Sequence, residues 1–241
     1  MSTVLAGTDR ITAVIDEMYE AGVVTADDGN RLRLRDFAVS RAHGEVLAGA
    51  ARAIAPRATI EVGCASGLST LHICRGRRAA GCLEPGSAHT IDLKQTTHWH
   101  GIGRRAIERA GLSGIVCLYE EAAHTALPRL IDRVRIQFAF LDGWHMFDFV
   151  MVEAFYCDLM LDEGGVIALH DMFMPALQHF AAFWTTNRPY EPVRLAEDEL
   201  VTEAPAGATG TGLERYVDRN VLLLRKTGPD DRAWDDFHQF T

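Results

Sequence analysis

Residues 59–70 read Thr-Ile-Glu-Val-Gly-Cys-Ala-Ser-Gly-Leu-Ser-Thr, and the fold turns on them. Thr59, Ile60 and Val62 read as a buried strand. Gly63 and Gly67 free the backbone to turn sharply, and Leu68, Leu71 and Ile73 open a helix. A small-residue loop at a helix start lets backbone N–H groups and the positive helix end approach a polar ligand. The spacing departs from the dinucleotide fingerprint: Ala65 stands where its second glycine belongs, and Gly67 comes one residue early. By itself the loop is a weak signal, since a plain strand-to-helix turn gives the same pattern.

Asp92 adds weight. It closes the apolar run His89–Ile91, where a second strand–helix unit would end. A carboxylate at the end of the neighbouring parallel strand can accept both hydroxyls of a ribose. The alternative is a helix N-cap, for which aspartate is also favoured.

The stretches EVGCASGLS, TIDLKQTTHW, FAFLDGWHMFD and GGVIALHDM follow in that order and resemble the motifs of class I S-adenosylmethionine-dependent methyltransferases. The likeness spans roughly Arg41 to Met172. It points toward small-molecule O-methyltransferases related to catechol O-methyltransferase and to the macrolide-sugar O-methyltransferases. The resemblance implies that Glu61 lies near the methionine end of the cofactor. It also implies that the loop Gly63, Ala65, Ser66, Gly67 holds that end, and that Asp92 holds the ribose. Trp99 is expected beside the adenine, with His98 and His100 partly solvated, and Glu121 is the candidate for the adenine amino group.

Composition bounds the rest. With 241 residues and 48% hydrophobic content, the chain can fill the core of one α/β domain. A net charge of -9 without a Lys/Arg-dense run argues against an extended nucleic-acid footprint. Cys64, Cys74, Cys82, Cys117 and Cys157 are scattered, without disulfide or metal-knuckle spacing, and read as reduced core residues. The N-terminal residues lack a signal-peptide pattern and there is no long apolar run, so the expected setting is cytoplasmic, away from membranes.

Along the chain, Ile11, Val14, Ile15 and Met18 predict a helix over Thr8–Ala21, capped by Thr8 or Asp9. A second helical pattern runs through Leu32, Leu34 and Phe37, and a third over Glu45–Ile54, stopped by Pro56. Residues 1–56 are thus expected as an N-terminal helical cap, supplying substrate surface or a homodimer contact, and 57–228 as the Rossmann-like core. Residues 229–241 would be a tail that docks as a helix or meets a second copy. Strands and helices alternate through the core. This predicts a doubly wound α/β fold whose mostly parallel sheet has seven strands in the resembling enzymes, with ligands at the carboxyl ends of the strands. Gly164–Gly165 is expected to mark a helix end, and Arg75–Gly86 to form a long loop whose arginines are solvated. Ala204–Gly212, a small-residue stretch, is expected to be mobile.

Chemistry concentrates where strands end. Asp142 follows Ile136–Leu141, His145 comes three residues later, and His170–Asp171 follow Val166–Leu169. Two carboxylates brought into one gap repel, and a divalent cation keeps both ionised. Oxygen ligands favour Mg²⁺, and His170 opens the set to Mn²⁺, Fe²⁺ or Zn²⁺. By resemblance, Asp142 and Asp171 are metal ligands and His170 stands where catechol-type enzymes carry a carboxylate. Likeness to the sugar-modifying enzymes makes His145 the general base in place of their relatives' lysine. The plainer alternative is that Asp142 and Asp171 cap helices and His170 is a core residue. Trp144, Phe147, Phe173 and Trp184 could wall an apolar or sugar-like acceptor, though such residues are more often core. The expected activity is methyl transfer from S-adenosylmethionine to a hydroxyl of a small molecule. Its rivals are a nicotinamide-dependent oxidoreductase and a methyltransferase-fold protein that binds without catalysis.

Overall fold

The computed structural model describes residues 9–26, 28–208 and 212–240. Thr8, one of the two expected caps, and residues 209–211 of the small-residue stretch lie outside them. Helix α1 (Arg10–Ala21) is capped by Asp9, whose side chain accepts the Ile11 N–H. It buries Ile11, Val14, Ile15 and Met18, and ends at Gly22 in the left-handed region.

The second expected helix is absent. Val23–Thr25 (β1) and Arg31–Arg33 (β2) form an antiparallel hairpin, followed by a single 3-10 turn over Leu34–Asp36. Leu32 and Leu34 are two apart, a strand spacing. The β-branched run after Gly22 and the Asp28-Gly29-Asn30 turn favour a hairpin over a helix. Helix α2 (Arg41–Ile54) starts earlier than the pattern suggested because Ser40 caps it, its hydroxyl accepting the His43 N–H at 3.2 Å.

The core alternates β3 (Thr59–Val62), α3 (Leu68–Ala79), β4 (Ala88–Ile91), α4 (Ile102–Arg109), β5 (Val116–Tyr119), α5 (Ala123–Leu130), β6 (Ile136–Leu141), α6 (Phe147–Met160), β7 (Leu161–Leu169) and α7 (Pro175–Asn187). It closes with β8 (Tyr190–Ala196), β9 (Glu199–Val201) and β10 (Leu222–Lys226). The sheet order is β5-β4-β3-β6-β7-β10-β8-β9. Strands β3 to β7 run parallel, and β10 slots antiparallel between β7 and β8. The described sheet has eight strands rather than seven, because the chain after β8 folds back as the three-residue β9.

One apolar cluster under α1–α4 and another under α5–α7 cover the two faces. Helices α2 and α3 approach closely because Gly76 leaves room for the Ala48 carbonyl, where a Cβ would collide.

Three further expectations change. Arg75, Arg77 and Arg78 lie inside α3, and Arg77 is fully buried. Its guanidinium donates to the carbonyls of Pro56, Arg57, Cys82 and Ser87, satisfying the backbone that leads into β3 and β4. Gly164–Gly165 sits within β7, near a register shift against β6, rather than at a helix end. The tail forms no helix over its described residues. It is tied down by Asn187, which donates to the His238 carbonyl at 2.9 Å and accepts the His238 N–H at 2.7 Å. All five cysteines are free, and no helix among the described residues is long and apolar enough to cross a membrane.

Candidate active site

Register builds the site. Val62 of β3 pairs with Ile91 of β4 and Leu141 of β6, and Leu141 pairs with Leu169 of β7. The next residue of each strand is Gly63, Asp92, Asp142 or His170, so these four emerge on one sheet edge. The chain runs outward from β3 to β5 and then returns to β6, so the loops after β3 and β6 part and open a crevice. A cavity of about 1040 Å³ occupies it, walled on its far side by cap residues from Tyr19 to His43.

The glycine loop is shaped for close approach. Gly63 has φ 95° and a Cβ there would strike the Asp142 carbonyl; Ala65 holds φ 43°, strained for a residue with a side chain. Asp92 holds that strain in place. Its Oδ2 accepts the N–H groups of Cys64 (3.1 Å) and Ala65 (2.7 Å), and its Oδ1 accepts that of Lys94 (2.9 Å). Gln95 joins in, donating to the Ala65 carbonyl at 3.0 Å. Gly63, Ala65, Ser66 and Asp92 line the cavity, whereas Glu61 and Gly67 lie behind it. Gly67 forms the N-terminal turn of α3 at φ 82°. Glu61 accepts hydrogen bonds from the Thr70 and Thr90 hydroxyls, leaving Oε1 without a partner; burial above all, with the Asp142 charge adding, pushes its carboxyl up to about 7.

On the β4–β5 side, Trp99 faces the cavity and stacks on Phe37 of the cap, ring centroids 4.7 Å apart. His98 is exposed, and His100 pairs with Asp28 at 2.6 Å. Glu121 lines the cavity and is paired with Arg129.

Beyond β6 and β7, the structure gathers the other candidates. His170 Nδ1 lies 3.0 Å from Asp142 Oδ1 and 3.3 Å from Asp171 Oδ1. His145 Nε2 lies 3.3 Å from Asp142 Oδ1 and 3.2 Å from Asp171 Oδ2. One donor atom each from Asp142, His170 and Asp171 falls within 4.8 Å of the others, so this oxygen–nitrogen–oxygen set fits a divalent cation. Burial works to raise the Asp142 carboxyl, but hydrogen bonds from His145 and His170 outweigh it and hold the acid below its usual range. The Asp142 hydrogen bond raises the His145 pKa; burial opposes a charged His170, but the neighbouring carboxylates prevail and raise it as well. Asp171 holds φ 53°, and Asn220, just ahead of β10, donates to its Oδ1 at 2.9 Å.

His43, Glu153 and Asn220 also line this end of the cavity and were not singled out from sequence. Glu153 carried a signal, being an acid inside the apolar run FDFVMVEAF. It is 2% exposed and neither carboxylate oxygen has a partner. Of the aromatic candidates, Trp184 is core, while Trp144 (46% exposed) and Phe173 (66%) stand open at the mouth.

Residues 60–172 match the model of a family described as a methyltransferase domain. No curated protein matches the sequence. Among solved structures, the chain is similar to the O-methyltransferase TomG of Streptomyces achromogenes, involved in tomaymycin synthesis and crystallised with S-adenosylmethionine. That likeness has 16% identity and a TM-score of 0.61, over 94% of this chain and 93% of that one. It is also similar to a Bacillus cereus O-methyltransferase bound to S-adenosylhomocysteine, with 15% identity and a TM-score of 0.59 over 93% and 94%. At such identities the structures speak for the fold. Together with the match over residues 60–172, which holds the motif-bearing strands, they show a Rossmann-like methyltransferase fold carrying a stretch that matches a methyltransferase domain.

Proposed function

We propose that the protein methylates a hydroxyl of a small molecule, with His145 as general base and with Asp142, His170 and Asp171 holding a divalent cation that positions the acceptor. The observation that carries the reading is the convergence of these four side chains on the cavity that also holds the Gly63–Ser66 loop and Asp92. The methyl group would leave the positively charged sulfur for the acceptor oxygen, the carbon–sulfur bond breaking to a neutral thioether, and the hydroxyl proton would pass to the neutral imidazole of His145. Asp92 fixes the loop, and its Oδ1, with a single partner among the described residues, keeps a lone pair for a ribose hydroxyl. Trp99, Ala122 and Glu121 offer the surface for the adenine, and Trp144 and Phe173 that for an apolar part of the acceptor.

When bound, the cation supplies Lewis-acid polarisation of the acceptor hydroxyl. The chain's own part is to keep two ionised carboxylates and the Nδ1 of His170 facing one point, and to keep His145 within reach of the proton. The reading includes a homodimer, supported by the apolar row Val152, Phe155 and Leu159 exposed along α6.

The test is calorimetric titration of S-adenosylmethionine and S-adenosylhomocysteine into metal-stripped protein, with and without Mg²⁺ or Mn²⁺, followed by assay of hydroxylated acceptors. Cofactor binding lost in Asp92→Ala and a metal heat lost in Asp142→Ala are the expected results. A protein that binds cofactor and methylates hydroxyls without any metal heat would remove the cation from the reading.

A further inference from the structure

Each candidate ligand has a partner that holds it. Asp142 has His145, Asp171 has Asn220, and His170 has His43, whose Nδ1 lies 2.9 Å from His170 Nε2. The first two partners belong to the methyltransferase core. His43 belongs to the cap, 127 residues away in sequence, in the first turn of α2, where Ser40 fixes its backbone.

His170 packs against two rings. Its centroid lies 6.1 Å from that of Phe140 and 4.9 Å from that of His43, the latter at 60°. With 7% of its surface exposed, the imidazole has little room to turn, and both nitrogens are spoken for: Nδ1 by the carboxylates, Nε2 by His43. The consequence is chemical. For Nδ1 to present a lone pair to a cation, the ring must carry its proton on Nε2, and that N–H needs an acceptor. His43 Nδ1 is the only partner of Nε2 among the described residues.

We propose that His43 is a positioning residue of the cation site: by accepting the Nε2–H of His170 it fixes that ring in the ligand form, so the N-terminal cap sets the protein's affinity for the cation. The inference rests on the cation reading given above. Partners of metal-bound histidines typically contribute about 10–100-fold in affinity. By linkage, a bound cation also strengthens the contact between cap and core.

The experiment is titration of Mn²⁺ alone into the metal-stripped full-length protein, followed by calorimetry, with thermal melting as the check on folding. Wild type is compared with His43→Ala, His43→Phe, His43→Asn and Asp142→Ala. Alanine and phenylalanine are expected to weaken Mn²⁺ binding by about 10–100-fold. Asparagine, whose Oδ1 takes roughly the place of the histidine Nδ1, is expected to recover most of the loss, which a role in packing alone would not produce. Co²⁺ gives a second readout, since its visible spectrum reports the ligand set and should change in the alanine and phenylalanine variants. Wild-type affinity in both of those variants, with Asp142→Ala having lost it, overturns the role of His43 and leaves the cation reading standing. Asparagine no better than phenylalanine overturns it too. Absence of Mn²⁺ and Co²⁺ binding by the wild type overturns the cation reading and this inference together.

Discussion

Of two clusters of ionisable side chains among the described residues, only one has its acids paired with Lys and Arg. Away from the cleft, Asp158 accepts the Tyr190 hydroxyl at 2.7 Å and pairs with Arg188 and with Lys226, the latter at 3.0 Å; Arg188 pairs in turn with Asp230 at 2.9 Å. Arg232 pairs with Asp230 as well, at 2.6 Å, so three cations meet two anions. At the sheet edge, Asp142 and Asp171 gather around imidazoles, Glu61 and Glu153 lie buried nearby, and no Lys or Arg pairs with any of these four among the described residues. A cluster closed on itself holds the fold together. One with unpartnered carboxylate oxygens and no fixed cation is suited to cationic visitors, which draw its acids into their charged form.

The sharpest way to break the contrast is to remove one acid from each cluster. Asp142→Ala should lower the rate of methyl transfer about 10³-fold or more, the scale of a lost acid–base and electrostatic arrangement, while the melting temperature holds or rises. Asp158→Ala should do the reverse: breaking the buried pairs leaves Lys226 without a carboxylate and Arg188 with Asp230 alone, and destabilises by about 3–5 kcal/mol, with turnover per folded molecule retained. Initial rates and thermal melts on both variants decide the matter. If Asp142→Ala melted early and kept its rate, the two clusters would be of one kind.

A smaller effect sharpens the boundary between them. Asp92 is buried at 8% exposure like the structural acid, yet its partners are loop N–H groups rather than cations. Asp92→Asn should weaken S-adenosylhomocysteine binding by about 10–100-fold, since each charged hydrogen bond lost costs about 1.5–3 kcal/mol, with some of it recovered by the amide oxygen. Calorimetry measures it, and unchanged affinity would class Asp92 with Asp158.

How much of this was readable in advance follows the same divide. Motifs set on strand ends were legible because short, nearly continuous buried runs fix where strands stop, and register then carries Gly63, Asp92, Asp142 and His170 to one edge. Hairpin β1–β2 was not, because Leu34 and Phe37, three apart, fit a helical count, while the decisive signals were the two-residue step from Leu32 to Leu34 and turn residues outside it. Arg77 misled for a different reason: arginine is mostly exposed, and only the tertiary fold shows four carbonyls waiting for it. His43 and Asn220 act across long separations, on which local sequence is silent.

The subtlest test concerns Glu153, the acid of the sheet-edge cluster with neither carboxylate oxygen partnered. Burial, reinforced by the charge of Asp142 and opposed by His145, pushes its carboxyl up to about 8, against an ordinary value of 4.5. Between those values the folded protein keeps a proton that the unfolded chain has released. Stability from this group is therefore fully present below about pH 4.5 and is lost as pH rises through about 8. Glu153→Gln cannot ionise, so it should match the wild type near pH 4.5 and be more stable at pH 9, by about 1–3 kcal/mol on the scale of a buried unsatisfied polar group. Part of the slope should survive in the variant, because Glu61, pushed up to about 7, acts with the same sign. Denaturant unfolding of metal-free protein at the two pH values measures the difference. A cationic ligand should shrink it, by drawing Glu153 into its charged form. A glutamine variant less stable at pH 9 than the wild type would mean that Glu153 is a paired acid, and the distinction between the two clusters would fall with it.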